Sequence, residues 1–113
     1  MTAMKGELAT GDDLLRALIA LANPHRLRIV ATLIDGKRPH VSELARLVGI
    51  SRPLLYLHLE KLEAAGLVCS ELSLSQDGKA MRQYEIVPFQ LPLSPELIAR
   101  LVATLTDAKE MKR

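Results

Sequence analysis

Residues 41–68 read VSELARLVGISRPLLYLHLEKLEAAGLV, and this stretch decides the fold. It contains two segments of helical pattern, each closed by a glycine, Gly49 and Gly66, of the kind that commonly ends a helix. Ser51 is a favourable N-cap for the second segment, and Pro53 falls in its first turn, where a missing N–H costs little. A short helix, a three-residue turn containing glycine and a second helix together predict a helix-turn-helix.

The helix that starts at Ser51 carries leucines on several sides, and a helical wheel separates its faces. Leu55, Leu59 and Leu62 share one face and are predicted to pack on the core. The N-terminal half then projects away from the body, as the recognition helix of a helix-turn-helix does in the major groove of DNA. The residues predicted to contact DNA, in this helix, at the preceding helix and in a later hairpin, are Ser42, Ser51, Arg52, Pro53, Leu54, Tyr56, Leu57, His58, Lys79 and Arg82.

Each of these assignments has an alternative. Arg52 suits a guanine edge or a phosphate, but it also fits a solvated surface position. Tyr56 could shield the turn between the helices, and Leu57 could contact a partner or the core. His58, at the edge of the buried face, fits a structural hydrogen bond or a phosphate contact better than a metal or catalytic role. Lys79 and Arg82 could be ordinary hairpin charges.

The rest of the chain completes a mainly α architecture with a β-hairpin wing, that is, a winged helix-turn-helix. Helices are predicted from Thr10 or Asp12, and again after Asn23-Pro24, where asparagine caps and proline suits the first position. In the second of these, the buried face is predicted to hold Leu27, Val30 with Ile29 beside it, Leu33 and Ile34. The first helix of the helix-turn-helix is predicted to be capped by Ser42 and to bury Leu44, Leu47 and Val48.

After Gly66 the apolar period changes from helical to alternating. One strand is predicted over LVCSELSLS, with Val68, Leu72 and Leu74 on one side, and a second over AMRQYEIV. The turn Gln76-Asp77-Gly78-Lys79 between them has Asp-Gly at its centre and predicts a hairpin. The predicted organisation is an N-terminal arm (1–10), a winged-helix DNA-binding domain (11–88), and a connector with a C-terminal dimerisation helix (89–113).

Composition and charge narrow the function further. The chain has 113 residues, a single cysteine and no apolar run long enough for a membrane span, so we expect a cytoplasmic protein with no membrane partner. Residues 24–61 carry seven basic and three acidic side chains, a net +4, which suggests a surface that faces a polyanion. No phosphate-cradling loop, nucleophile motif or zinc-ligand spacing is present, so neither an enzyme nor a cofactor is predicted.

The terminal helices each carry an apolar band wider than one intramolecular contact would bury. This favours a homodimer, although the bands could instead complete the core of a monomer. A two-fold dimer would set two recognition helices about 34 Å apart, matching an inverted-repeat operator on double-stranded DNA. The predicted interface residues are Leu14, Leu15, Leu18, Leu97, Ile98, Leu101, Val102 and Leu105.

Three elements together resemble the ArsR-type winged-helix repressors: ANPHRLRIV, VSELA and HLEKLEAAGLV. The resemblance covers about residues 12–87. It implies a dimeric bacterial or archaeal transcription factor whose first and last helices form the dimer interface. It also implies that the helix from Ser51 enters the major groove and that the wing at 75–82 touches the minor groove or the flanking phosphates.

The sequence departs from the metal-sensing members of that family. Where those have a Cys-Val-Cys motif, this chain has His40-Val41-Ser42, and the terminal helix has Asp107 and Glu110 but no histidine. No metal site is therefore predicted. Control by a small-molecule effector, by redox state through Cys69, by a partner protein, or by no effector at all remains open.

The recognition helix also departs from the family, being apolar at Leu54 and Leu57, where small polar residues are usual. This favours reading of thymine methyls and DNA shape. It also favours a competing hypothesis, a winged helix that serves as a protein-interaction module within a larger assembly.

Overall fold

A computed structural model describes residues 9–106. Five helices and one two-stranded antiparallel hairpin follow one another in the order that the sequence predicts, and the winged helix-turn-helix is confirmed. No helix within this range is long and apolar enough to cross a membrane. The elements are α1 (Gly11–Leu21), α2 (Pro24–Leu33), α3 (Val41–Val48), α4 (Arg52–Ala64), β1 (Val68–Leu74), β2 (Ala80–Ile86) and α5 (Pro95–Val102).

Side-chain caps fix where most of the helices begin. Thr10 and Asp13 form a reciprocal capping box at the start of α1, and the Asn23 side chain accepts from two backbone N–H groups at the start of α2. Ser51 and Ser94 cap α4 and α5, each with proline in the first turn. The starts predicted at Thr10, Asn23 and Ser51 are confirmed.

The helix α3 begins differently from the prediction. Its N-cap is His40, without a side-chain hydrogen bond, so Ser42 is not the cap but an exposed residue of the first turn. The reason lies in the wing: the Tyr84 N–H donates to the Pro39 carbonyl, and His40 forms a bridge with Gln83. Pairing with β2 therefore sets the backbone just before α3.

One apolar cluster joins α2, α3, α4 and the base of the wing. Leu55, Leu59 and Leu62 of α4 are almost fully buried in it, as predicted from the helical wheel. From α2 the buried residues are Ile29 and Leu33. The cluster consists of Ala20, Ile29, Leu33, Val41, Leu44, Ala45, Leu55, Leu59, Leu62, Leu67, Val68 and Tyr84.

Three residues predicted to be buried are exposed instead. Leu27 and Ile34 of α2 are 55% and 73% exposed, and Leu47 of α3 is 50% exposed. The reason in α2 is that the inward stripe is narrower than predicted: it runs through Ile29 and Leu33, with Val30 partly buried beside it, and leaves Leu27 and Ile34 outside it. In α3 the smaller Ala45 lies inward where Leu47 was expected.

The wing pairs Val68 with Ile86 at its base and Leu74 with Ala80 at its tip. Val68, Leu72 and Leu74 share one face, as the alternation predicts, but only Val68 is buried. Leu72 and Leu74 are 59% and 75% exposed because the hairpin extends beyond the helices that could cover them.

The terminal helices α1 and α5 pack against each other within one chain. Leu14, Leu97 and Leu101 are buried in this contact, with Leu18 beside them, so these predicted interface residues contribute to the fold of the monomer. The end of α5 approaches α1 closely, since the Gly11 N–H donates to the Thr104 hydroxyl at 2.7 Å. Other predicted interface residues face outward: Ile98, Val102 and Leu105 are exposed and Leu15 is half-buried.

Parts of the predicted end segments lie outside the described range. These are residues 1–8 of the arm and residues 107–113 of the C-terminal helix, with Asp107 and Glu110. Within the range, α5 ends at Val102, whereas the predicted helical pattern of the C-terminal helix included Leu105.

Candidate nucleic-acid interface

The start of α4 is presented to solvent because its apolar stripe anchors the opposite face. Ser51 ends the turn after Gly49, which has a φ of 86° and so takes the left-handed conformation that glycine allows. The Ser51 hydroxyl accepts from the Leu54 N–H at 3.3 Å and its carbonyl from the Leu55 N–H at 2.9 Å; since Pro53 has no N–H, the Arg52 N–H is the donor left at the helix start. Such a helix start can bind a phosphate oxygen.

The predicted contact residues of α4 lie mostly on this exposed end. Ser51, Arg52 and Pro53 are exposed, and Tyr56 and Leu57 are each 50% exposed. Leu54 is half-buried, so less of the helix start is apolar surface than the sequence alone suggests. The exposed group combines one guanidinium with a phenol and aliphatic surface, which suits phosphate or guanine contact beside thymine methyls.

His58 is the exception among the predicted DNA contacts. Its side chain is only 5% exposed, so the assignment of His58 to the DNA-contacting set is wrong, and the alternative of a structural hydrogen bond is the one observed. Nδ1 accepts from the Arg26 Nε–H at 3.1 Å. Burial, followed by the charges of Arg26 and His25, lowers the pKa of His58, so the ring is held neutral.

Arg26 joins three helices, a role that sequence reasoning missed. Besides its bond to His58 on α4, its Nη1 donates to the carbonyls of Ile19 and Ala20, at 3.2 and 3.4 Å, at the end of α1. Charge counting assigned Arg26 to the polyanion-facing excess, but its guanidinium faces protein. The signal that could have found it is its position three residues before Ile29 and seven before Leu33, on the inward stripe of α2.

The wing tip is a tight loop that exposes Lys79. The Gly78 N–H donates to the Ser75 carbonyl at 2.9 Å, and Gly78 has a φ of 85°, as the predicted Asp-Gly turn requires. The Ser75 hydroxyl bonds to Asp77 and lowers the pKa of that carboxyl. Lys79 is exposed beside this loop, where an ammonium group could reach a phosphate.

Arg82 is exposed but engaged with neighbouring side chains. Its Nη1 donates to the Ser70 hydroxyl at 3.0 Å, and that hydroxyl donates to Glu63 Oε2 of α4 at 3.0 Å. The chain of bonds ties the base of the wing to the recognition helix. Arg82 therefore lies on the wing face that turns toward α4.

A second arginine, Arg38, anchors the opposite face of the wing. It pairs with Glu71 of β1 and, at 3.1 Å, with Glu85 of β2, and its carbonyl accepts from the Gln83 side chain at 3.0 Å. Two of the seven basic residues in the middle third, Arg26 and Arg38, thus hold the fold together. The local charge pattern did not distinguish them from residues free to meet DNA.

No group of three or more metal-ligating side chains occurs within residues 9–106. Cys69 is a half-buried free thiol in β1. The arrangement found here is a set of exposed groups on a helix end and a hairpin, which suits a surface contact with a polyanion.

Comparison with known proteins agrees with this geometry. A family of helix-turn-helix domains matches residues 21–71. A protein of Methanocaldococcus jannaschii named an uncharacterized HTH-type transcriptional regulator is 39% identical over 90 residues, which span 79% of this chain and 92% of that protein.

Two solved structures are similar in fold and sequence. One is a homodimeric winged helix-turn-helix DNA-binding domain of Mycobacterium bovis, described as a possible ArsR-family regulator, with a TM-score of 0.55 and 28% identity over 81% of this chain and 73% of that one. The other is NolR from Sinorhizobium fredii, with a TM-score of 0.57 and 29% identity over 89% of this chain and 85% of that one.

Proposed function

The chain belongs to the helix-turn-helix transcriptional regulators and has the winged-helix form of the ArsR family, and on this premise we propose that it binds an inverted-repeat operator as a homodimer and represses transcription. The observation that carries the proposal is the exposed start of α4, held outward by a buried leucine stripe. The family is one of DNA-binding regulators, not of enzymes. Its proposed target is chromosomal DNA, so its place of action is the cytoplasm of a bacterium or archaeon.

The start of α4 reads the major groove. Arg52 donates to a guanine edge or an adjacent phosphate, while the Ser51 hydroxyl and the backbone N–H at the helix N-terminus donate to a phosphate oxygen. Pro53, Tyr56 and Leu57 supply surface for thymine methyls, with Leu54 partly beneath them. Because hydrogen-bonding groups are few, sequence preference comes largely from methyl contacts and DNA shape.

The flanking backbone is contacted from both sides of α4. Lys79 at the wing tip meets phosphates beyond the base-reading segment, and Arg82 neutralises phosphate nearer the helix. Ser42, exposed in the first turn of α3, donates its hydroxyl to a phosphate across the groove. These contacts supply affinity and register rather than sequence preference.

A homodimer forms through the outer faces of α1 and α5. Ile98, Val102 and Leu105 are between 39% and 50% exposed in the single chain, and Leu15 and Leu18 are half-buried beside them. Leu14, Leu97 and Leu101 lie behind that surface and support it. The M. bovis structure is described as homodimeric, which is consistent with such an arrangement.

DNA binding is tested by replacing Arg52. We expect Arg52→Ala to weaken binding to a duplex selected from a random library by about 1–3 kcal/mol, with a smaller effect on random duplex. Arg28→Ala, which removes an exposed arginine from α2, is the matched control and should change neither affinity. Equal binding by wild type and Arg52→Ala in a mobility-shift assay at fixed salt would contradict the role of Arg52.

The same assay separates the competing function. Phosphate contacts make DNA binding weaken steeply as salt is added. A protein-interaction module would show no duplex binding, or binding without this dependence on salt. The exposed Leu57 favours such a module, whereas the exposed Arg52 and Lys79 favour DNA. If duplex binding is undetectable or does not depend on salt, DNA binding is contradicted and the protein-interaction module is the supported function.

The dimer is tested on the outer face of α5. Val102→Glu should convert the dimer to monomers in sedimentation, because it places a carboxylate at the centre of an apolar contact. Ile34→Glu is the control: Ile34 is 73% exposed on α2, outside the proposed interface. Leu101 is unsuitable for this test because it is 6% exposed and its replacement would unfold the monomer. A dimer that persists in Val102→Glu would place the interface elsewhere.

A further inference from the structure

An open cleft with a volume of about 650 Å³ lies between α4 and the base of the wing. Its floor and walls come from one stripe of α4 and from β2. Moving along the stripe from the helix start, the lining changes from apolar to acidic. The lining includes Pro53, Tyr56, Leu57, Glu60, Glu63 and Tyr84.

Both tyrosines of the chain line this one cleft. Tyr56 is 50% exposed, whereas Tyr84 is only 4% exposed, and the described residues give the Tyr84 hydroxyl no hydrogen bond. Burial, followed by the nearby Glu63 carboxylate, raises the pKa of Tyr84, so the hydroxyl keeps its proton and can donate. The Tyr84 hydroxyl oxygen itself is not fully buried, so this donor can be reached from the cleft.

The charges of the cleft favour a cation. Glu60 and Glu63 are both exposed. Glu63 already accepts from Ser70, whose hydroxyl is held by Arg82, so one of the two carboxylates is partly satisfied by the wing. Carboxylates repel phosphate, so this half of α4 would be a poor contact for DNA. Two carboxylates beside the half-exposed Tyr56 ring instead suit an organic cation, through ion pairing and cation–π contact.

We propose that this cleft binds an apolar organic cation, and that the ligand and DNA exclude one another. Exclusion follows from shared residues, because Pro53, Tyr56 and Leu57 line the cleft and also belong to the proposed base-reading surface. The ligand would thereby release the operator. Binding of the cation stands independently, and only the exclusion of DNA rests on the proposed function.

The binding test uses tetraphenylphosphonium as the cation and tetraphenylborate as an anion of the same shape. The tyrosine rings are isotope-labelled and followed by NMR, which reports this cleft alone since both tyrosines line it. We expect the phosphonium to shift both ring signals in a saturable way at concentrations where the borate does not. Absence of saturable shifts, or equal shifts with the borate, would overturn the site.

A charge-neutral variant tests the role of the carboxylates. Glu60→Gln should weaken phosphonium binding by about fivefold, the loss expected for one partly solvated charge pair. Glu43→Gln removes a similarly exposed carboxylate from α3, outside the cleft, and should leave the affinity unchanged. Equal weakening in both variants would mean that the cation responds to overall charge, and the site would be rejected.

The exclusion of DNA is measured last, with a fluorescent duplex selected by the wild-type protein. Phosphonium should lower the apparent duplex affinity of the wild type and do so less in Glu60→Gln. If the duplex stays bound while the tyrosine signals are saturated, the exclusion is wrong. If the protein binds no duplex even without the cation, the proposed function fails, while the NMR titrations still decide the cleft.

Discussion

Replacing Arg26 with methionine should lower the free energy of unfolding by about 2–3 kcal/mol. Methionine keeps the aliphatic stem but removes a guanidinium that donates to the His58 ring at 3.1 Å and to two carbonyls of α1 at 3.2 and 3.4 Å. A charged hydrogen bond contributes about 1.5–3 kcal/mol, and the buried His58 Nδ1 would lose its donor. The two carbonyl bonds add less, because both are longer and the one to Ile19 is exposed to solvent.

Urea unfolding followed by circular dichroism measures this loss, with Arg28→Met as the control on the exposed side of the same helix. The control should stay within about 0.5 kcal/mol of wild type. In a His58→Leu background, Arg26→Met should cost at least about 1 kcal/mol less than in wild type, because the shared bond is already absent. A loss below about 0.5 kcal/mol in the single variant, or additive losses in the double variant, would refute the idea that Arg26 joins α1, α2 and α4.

Three further predictions concern packing, pH and phosphate contacts. Gly11→Ala should destabilise the fold by about 1–3 kcal/mol, since a Cβ there would lie 2.6 Å from the Leu101 carbonyl oxygen; the stabilisation usual for this change in a helix would contradict the close packing of α1 and α5. The pKa of His58 is lowered in the folded state, so the unfolded chain gains the proton first as the pH falls. The free energy of unfolding should therefore be constant above about pH 7.5 and decrease as the pH drops through about 6.5. Urea titrations of His58→Leu should lack this part of the pH dependence, and a profile identical to that of the wild type would contradict the role of His58. Lys79→Ala should weaken binding to all duplexes alike and reduce the slope of log affinity against log salt by about 1; a selective loss for the preferred duplex would mean that Lys79 reads bases.

The order and type of the elements could be predicted from sequence because local signals agree with one another. Asn23-Pro24, Ser51 and the glycines at 49 and 66 each act through backbone geometry within a few residues. The alternation after Gly66 and the Asp-Gly turn do the same for the wing. The exposure of the start of α4 could also be predicted, because assigning its leucine stripe to the core leaves the opposite face to solvent.

What could not be predicted depends on contacts between distant parts of the chain. Apolar residues occur on more than one side of α2, so packing against α3 and α4 decides which side is buried. As a result Leu27 and Ile34 face outward. Arg26 and His58 are 32 residues apart, and Arg38 and Glu71 are 33 apart, so no local pattern marks these pairs. Charge counting therefore overestimated the basic surface available to DNA.

Contacts between distant parts of the chain also decide which apolar residues of α1 and α5 are buried and which face outward. A helix pattern cannot tell an intramolecular contact from a contact with a second copy, and here α1 and α5 bury Leu14, Leu97 and Leu101 within the chain. The outward residues Ile98 and Val102 remain as the surface on which the proposed dimer depends.

Hydroxyl-radical footprinting on a duplex selected from a random library tests the central claim most directly. A two-fold dimer with each α4 in a major groove predicts protection related by a dyad, with two centres about 10 base pairs apart on one face of the duplex. In Val102→Glu the pattern should collapse to weak protection of a single half-site. A single asymmetric footprint from the wild-type protein, or centres at a spacing unrelated to the helical repeat, would contradict a dimeric regulator that reads an inverted repeat.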